Sequence, residues 1–225
     1  MVDVTLRRAR RRQRAAQEQM ASAARMYTGL GWPVCQGAHL PRTASGARGS
    51  ERACSCDRIG CPAPGAHPVS PAWQLQATAD PATAGRWWSA TPEANVILVT
   101  GRVFDVLDVP AGPGLEALGQ MERAGTRPGP VAVSADERAL FFVATRGAPA
   151  AADEWWPCHL DCLPDDMTET AGLRWHCRDS YVLAPPSRHG NGVAPRWIRG
   201  PAGRPLPDAV RLLEHLADTS GEGRP

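Results

Sequence analysis

The chain has 225 residues and a mass of 24.1 kDa, which excludes a peptide or a disulfide-stapled miniprotein and leaves room for one large domain or two small subdomains with a real core. A formal net charge of +2 gives it no overall field that demands an anionic partner, and no apolar run approaches the roughly 20 residues that cross a bilayer. No hydrophobic stretch precedes a small-residue cleavage site near the N-terminus, so the expectation is a cytoplasmic protein with no membrane partner. All 25 basic residues are arginine in a chain rich in Ala, Gly and Pro, so arginine counts alone carry little functional weight.

Arg7, Arg8, Arg10, Arg11, Arg12 and Arg14 form a basic run, readable as a solvated extension or as an arm that contacts phosphates. It leads into a predicted helix over 13–30, whose apolar residues include Met20, Ala24 and Tyr27 and which ends at Gly29 or Gly31. Residues 31–34 read as a first short strand, and 36–72 as a Gly/Pro/Ser-rich insertion. A helix over 80–89 follows, with Asp80 as N-cap, Pro81 at its first position and Trp87-Trp88 on the buried face.

Two β-rich runs, 95–100 and 103–109, suggest adjacent central strands stopped by Pro110. Residues 114–124 read as a helix, 131–133 and 140–144 as strands of a hairpin through 134–138, 181–184 as a strand, and 208–217 as an amphipathic helix. Interleaved helices and strands give an α/β or α+β class. The organisation expected is a basic arm over 1–19, a domain over 20–205 carrying the 36–72 insertion, and a C-terminal helix and tail over 206–225.

Seven cysteines, an odd number without an export signal, argue against a disulfide framework. Cys54, Cys56, Cys61 and His67 supply three thiolates and an imidazole within fourteen residues of a pliable loop, the donor set of a tetrahedral structural zinc site; unligated reduced thiols are the alternative. Cys35, Cys158, Cys162 and Cys177, with His159 and His176, are candidates for a second metal, against which stands the reading of scattered core thiols.

Several segments then occur in a telling order: Gly31-Trp32-Pro33-Val34, the cysteine cluster ending at His67-Pro68, Trp87-Trp88 followed by Pro92-Glu93-Ala94-Asn95, Thr100-Gly101, Val106-Leu107-Asp108-Val109, and Tyr181-Val182-Leu183-Ala184-Pro185-Pro186-Ser187. Together they resemble the N-terminal domain of the bifunctional DNA primase/polymerases, the prim-pol branch of the archaeo-eukaryotic primase superfamily, from about residue 20 to about residue 200. The resemblance implies a prim-pol fold with an RRM-like sheet and nucleotidyl transfer by two divalent ions, Mg2+ or Mn2+, held by strand-borne acids. Two such cations about 4 Å apart need two or three carboxylates.

The resemblance places Asp108 at the family's first acid, but Pro110 at the second, Ala139 at its histidine and Arg174 at its third acid. Asp105, Asp136, Glu137 and Asp179 are the acids near enough in sequence to substitute. Strand alternation turns Asp105 away from Asp108, and Asp136 and Glu137 fall in a turn. Ser187 and His189 match a segment that lies near the nucleotide in the family; a Pro-fixed turn leaving a strand is the purely structural reading.

The function expected is a prim-pol-like protein acting on single-stranded or primed DNA and nucleoside triphosphates, with a degraded acid set and little or no transfer. The alternatives are an active small primase/polymerase and a zinc-stabilised scaffold for a protein partner. A replicative role would take its helicase from a separate protein.

Overall fold

The computed structural model describes residues 2–40, 54–145 and 172–221. Cys158, His159 and Cys162, expected as candidates for a second metal, lie outside them, as does the 41–53 part of the insertion. The elements are, in order, α1 (Val2–Gly29), β1 (Val34–Gly37), α2 (Trp73–Gln76), α3 (Pro81–Ala90), β2 (Asn95–Val99), β3 (Phe104–Pro110), α4 (Ala111–Arg123), β4 (Val131–Val133), β5 (Arg138–Ala144), β6 (Arg174–His176), β7 (Tyr181–Leu183), β8 (Arg196–Arg199) and α5 (Ala209–Gly221). This is the mixed α and β class expected, with the strands in two antiparallel sheets. No helix among the described residues is long and apolar enough to cross a membrane. The chain divides into two compact units, Met1–Leu98 with Leu183–Ala194, and Val99–Val182 with Pro195–Pro225.

In the first unit, α1 buries Met20, Ala23, Ala24 and Tyr27, the i, i+3, i+4, i+7 stripe of one helical face, and packs on α3. The helix begins eleven residues before the expected start, because Arg, Ala and Gln are strong helix formers and the charge of the arginine run does not stop them. It ends at Gly29 as expected; the Trp32 ring then stacks on that of Tyr27, with centroids 6.2 Å apart. The first strand lies three residues later than expected. Pro33 has no N–H to donate, and Val34 is where pairing begins, its N–H bonding Thr78 O at 2.8 Å. β1 runs antiparallel to β2 from Val34 opposite Leu98 to Gly37 opposite Asn95, in a sheet of order β1-β2-β7. α3 starts as expected, the Asp80 carboxylate accepting from the N–H groups of Ala82 and Thr83, with Pro81 at its first position. Trp88 is buried and its indole N–H bonds Ala94 O at 2.8 Å, whereas Trp87 is half-buried.

The second unit is a five-stranded antiparallel sheet of order β6-β3-β5-β4-β8. β2 and β3 are therefore not neighbours. Both edges of β2 are taken by β1 and β7 and both edges of β3 by β5 and β6, and Gly101, at φ +78°, turns the chain between the two sheets. The hairpin of β4 and β5 forms as expected, with Glu137 at φ 58° in its turn.

α4 and α5 cover one face of the second sheet. Their Leu118, Met121, Leu212 and Leu216 pack with Leu107, Val109, Phe141, Val143 and Trp175, each such side chain contributing roughly 1.5–3 kcal/mol on full burial. Gly114 permits this approach: a β-carbon there would lie 2.7 Å from both Ala139 Cβ and Val109 Cγ2.

Candidate metal centre and strand-borne acid

In the first unit, the ligand atoms of Cys54, Cys56, Cys61 and His67 lie within 4.8 Å of one another. The Cys54 and Cys61 sulfurs each stand 3.4 Å from His67 Nε2. A tetrahedral zinc with sulfur at about 2.3 Å and nitrogen at about 2.0 Å requires S···N separations of roughly 3.5 Å, so the donor set fits such an ion.

The loop is shaped for this convergence by left-handed turns at Asp57 and Gly60. The His67 Nδ1–H donates to Pro68 O at 2.8 Å, which fixes the ring and presents Nε2 inward. The Arg58 backbone N–H, with smaller help from Cys54, Cys61 and His67, brings the Cys56 thiol down to about 7, while burial pushes the Cys61 thiol up. Four protein donors leave no open coordination position, so a metal held here braces the loop and activates no water. Cys35 and Cys177, both buried, join no metal-ligand group among the described residues.

The loop is tied to the rest of its unit by main-chain and side-chain bonds. Ala38 N–H donates to His67 O at 2.8 Å, Ser55 N–H to His39 O at 2.9 Å, and Asn95 Nδ2 to Gly65 O at 2.7 Å. Asn95 also closes on Arg188, donating to its carbonyl at 2.8 Å and accepting from its N–H at 3.1 Å. Gly65, at φ +76°, must be a glycine twice over, since a β-carbon would also meet Arg188 O at 2.8 Å.

Ser187 is 0% exposed, and its hydroxyl bridges both backbone groups of Val96, accepting from N–H at 2.8 Å and donating to C=O at 3.2 Å. His189 is half-buried in the following turn, its N–H bonded to Val193 O and its Nδ1 accepting from Asn191 N–H at 3.4 Å. Arg188 and Arg12, both exposed, line one cavity of about 330 Å3 with His39 and Asn95.

The arginine run is presented on α1: Arg7, Arg8, Arg10, Arg11, Arg12 and Arg14 are exposed, and Arg14 pairs with Glu18 at 3.0 Å. At roughly 100° per residue, Arg7, Arg11 and Arg14 lie on the face away from the buried stripe, Arg10 on its flank, and Arg12 turns toward it.

In the second unit, Asp108 is 4% exposed on β3. Antiparallel register puts it directly opposite Leu140 of β5 and Arg174 of β6, and facing residues share a face of the sheet. Its Oδ1 accepts from Arg138 Nε, and its Oδ2 accepts from His176 Nε2 at 3.1 Å. Arg138 is further fixed by bonds from Nη2 to Asp108 O at 3.0 Å and Gly172 O at 2.7 Å. His176 Nδ1 lies 3.1 Å from Ser180 Oγ. An ionised carboxylate only accepts, so His176 carries its proton on Nε2.

Asp105 lies on the opposite face, buried, and accepts from Trp175 Nε1 at 3.2 Å, as alternation requires. Asp136 and Glu137 are exposed in the β4–β5 turn, and Asp179 is an exposed residue at φ 62° beside Arg178. None of these acids joins Asp108 in a metal-ligand group among the described residues. Arg138 and His176 are the partners that sequence alone does not assign to Asp108. The signal for them is register, and it becomes available only once β5 and β6 are known to flank β3.

The family model for the N-terminal domain of bifunctional DNA primase/polymerases matches residues 24–211, and the chain belongs to that family. No curated protein matches it.

Proposed function

We propose that this chain is a DNA- and nucleotide-binding member of the primase/polymerase family whose nucleotidyl transfer is absent or very low. The observation that carries this reading is the occupancy of the Asp108 carboxylate. Both of its oxygens are taken by the chain's own cationic or N–H groups, Arg138 and His176, and Arg174 stands opposite it. Two divalent ions about 3.5–4 Å apart need several carboxylates to bridge them. Here Pro110 ends the strand, Ala139 is a buried methyl and Arg174 is a cation.

The exposed arginines of α1 support contact with the phosphates of single-stranded or primed DNA, with residues 1–19 acting as the arm of a domain over 20–205. The cavity lined by Arg12 and Arg188 supports a nucleoside triphosphate. In this reading His189 approaches the nucleotide, and Ser187 serves through the backbone it holds. A structural zinc on Cys54, Cys56, Cys61 and His67 completes the first unit. Reduced thiols in such a site suit a cytoplasmic setting.

The test is incorporation of labelled deoxynucleotides on a primed template with Mg2+ or Mn2+. The expected rate lies roughly 10^4-fold or more below that of an intact acid set, several kcal/mol at 1.36 kcal/mol per decade, and is unchanged by Asp108→Ala. Robust incorporation abolished by that substitution overturns the reading.

A further inference from the structure

Two concavities of the second unit lie apart from the Asp108 cluster. One, of about 380 Å3, is lined by Arg127, Arg199 and Arg204 with Glu122; the other, of about 430 Å3, by Arg127, Arg211 and His215 with Asp208. They share Gly125, Thr126 and Arg127, in the loop between α4 and β4.

Four arginines thus face two acids, and both acids are already engaged. Glu122 accepts from Arg199 Nε at 2.7 Å and Nη2 at 2.8 Å, a fork-to-fork pair. Arg199 holds the Glu122 carboxyl below its usual range, and Arg204 adds to the pull. Asp208 Oδ1 accepts from the Arg211 backbone N–H at 2.9 Å, capping α5. Among the described residues, no acid lies within ion-pair range of the Arg127 or Arg211 guanidinium. Among the described residues, the Arg127 and Arg211 charges of the two basins are therefore not spent on an internal acid.

We infer that the paired basins bind the phosphodiester backbone of a nucleic-acid strand without reading its bases, Arg127 standing between consecutive phosphates. A single nucleotide fills one pocket and is held by an apolar, largely enclosing wall. These linings are open arginine and turn residues without Phe, Tyr or Trp, so they offer charge and no stacking platform. Two adjoining basins sharing one cation match a repeating anion. The inference rests on the nucleic-acid reading above and adds a contact surface built from residues of the second unit, separate from the α1 arginines.

The experiment measures binding of the full chain to a labelled oligothymidylate across a salt series. It compares wild type, the triple variant Arg127→Gln, Arg204→Gln, Arg211→Gln, and the arm variant Arg7→Gln, Arg10→Gln, Arg14→Gln. All six positions are exposed, and thermal unfolding confirms that each variant is folded. The triple variant is expected to lose about tenfold or more in affinity at low salt, and its slope of log affinity against log salt is expected to flatten by about 2, near 0.7 per lost phosphate contact. Lysine at the same three positions restores affinity, since charge is what the site supplies.

Wild-type affinity and slope in the triple variant, with loss in the arm variant, overturn this surface and leave the nucleic-acid reading standing. No retention of the oligonucleotide by wild type overturns both. Inorganic triphosphate and a nucleoside triphosphate are titrated in parallel. Saturable binding of either that depends on the three arginines, with oligonucleotide affinity indifferent to them, makes this a small-anion site and overturns the strand.

Discussion

Asp108 of β3 stands directly opposite Arg174 of β6, and Arg138 of β5, paired in register with Pro110 two residues further along, reaches the same carboxylate from the other flank. The Asp108 carboxylate is thus bonded by an arginine of one neighbouring strand and faces, in register, an arginine of the other. In a metal-binding acid cluster the ion neutralises several carboxylates; here one guanidinium pairs with a single carboxylate and an imidazole hydrogen-bonds it.

That difference has opposite consequences for stability. Asp108→Asn removes the counter-charge of Arg138, whose side chain is 11% exposed, and leaves a buried cation unpaired. The expected loss is roughly 3 kcal/mol, read as a lower urea midpoint with an unchanged slope. An acid crowded by other acids would behave in the reverse way, because neutralising it relieves repulsion. A stabilised Asp108→Asn protein, or a wild type markedly stabilised by Mg2+ at the same site, would refute the internal counter-ion.

The Glu122–Arg199 pair makes a prediction on the acid limb. Arg199 depresses the Glu122 pKa below its ordinary 4.5, so folding binds fewer protons than unfolding there. The stabilisation is fully present above pH 4.5 and is lost as pH falls through the depressed folded value. With side chains 35% and 37% exposed, solvent screening leaves the pair about 0.5 kcal/mol. Glu122→Gln should therefore cost that amount at neutral pH and converge with wild type in strong acid. A difference that persisted in strong acid, where the carboxylate is protonated, would point to packing instead.

Local chemistry was legible in the sequence wherever a residue acts on its near neighbours. Asp80 and Pro81 announced α3, the cysteine spacing announced the Cys3His loop, and alternation placed Asp105 away from Asp108. What escaped was set by partners distant in the chain. β2 and β3 read as neighbours because two apolar runs in succession say nothing about which edges they offer, and both edges of each are claimed by strands elsewhere. β6 and β8, three and four residues long and rich in Arg and Trp, carry too little pattern to be called strands alone. Ser187 matched a family motif by type, yet its hydroxyl is spent on Val96, ninety-one residues away.

The metal site yields a prediction on stoichiometry and on local order. Purified protein should carry about one zinc per chain by native mass spectrometry, and chelation should speed amide exchange in 54–68 while the β3–β5 ladder stays protected. Cys61→Ser should lower zinc content. Cys35→Ser and Cys177→Ser should not, since those buried thiols belong to no ligand group among the described residues. Equal zinc loss in all three variants would mean that the ion sits elsewhere.

Asn95 and Ser187 decide whether the Pro-Pro-Ser turn is held from within or by its ligand. Asn95 joins the Gly65 carbonyl of the Cys3His loop to both backbone groups of Arg188, and Ser187, the residue before Arg188, is itself fastened to Val96 by its hydroxyl. The Ser187 hydroxyl is the acceptor for the buried Val96 N–H, while Val96 O also accepts from Ala184 N–H at 2.9 Å, so Ser187→Ala is expected to cost about 1–3 kcal/mol through the orphaned N–H. Asn95→Ala, which removes three bonds, one to the buried Gly65 carbonyl and two to the part-buried backbone groups of Arg188, should cost more and should also quicken exchange in the Cys3His loop at constant zinc. Among the described residues, the His189 ring bonds within its own turn, so His189→Ala should change stability little and act on nucleotide affinity instead. The measurements are urea midpoints alongside nucleoside triphosphate titrations of the same three variants. A Ser187→Ala protein of wild-type stability with weakened nucleotide binding would assign the hydroxyl to the ligand and reverse this division of roles.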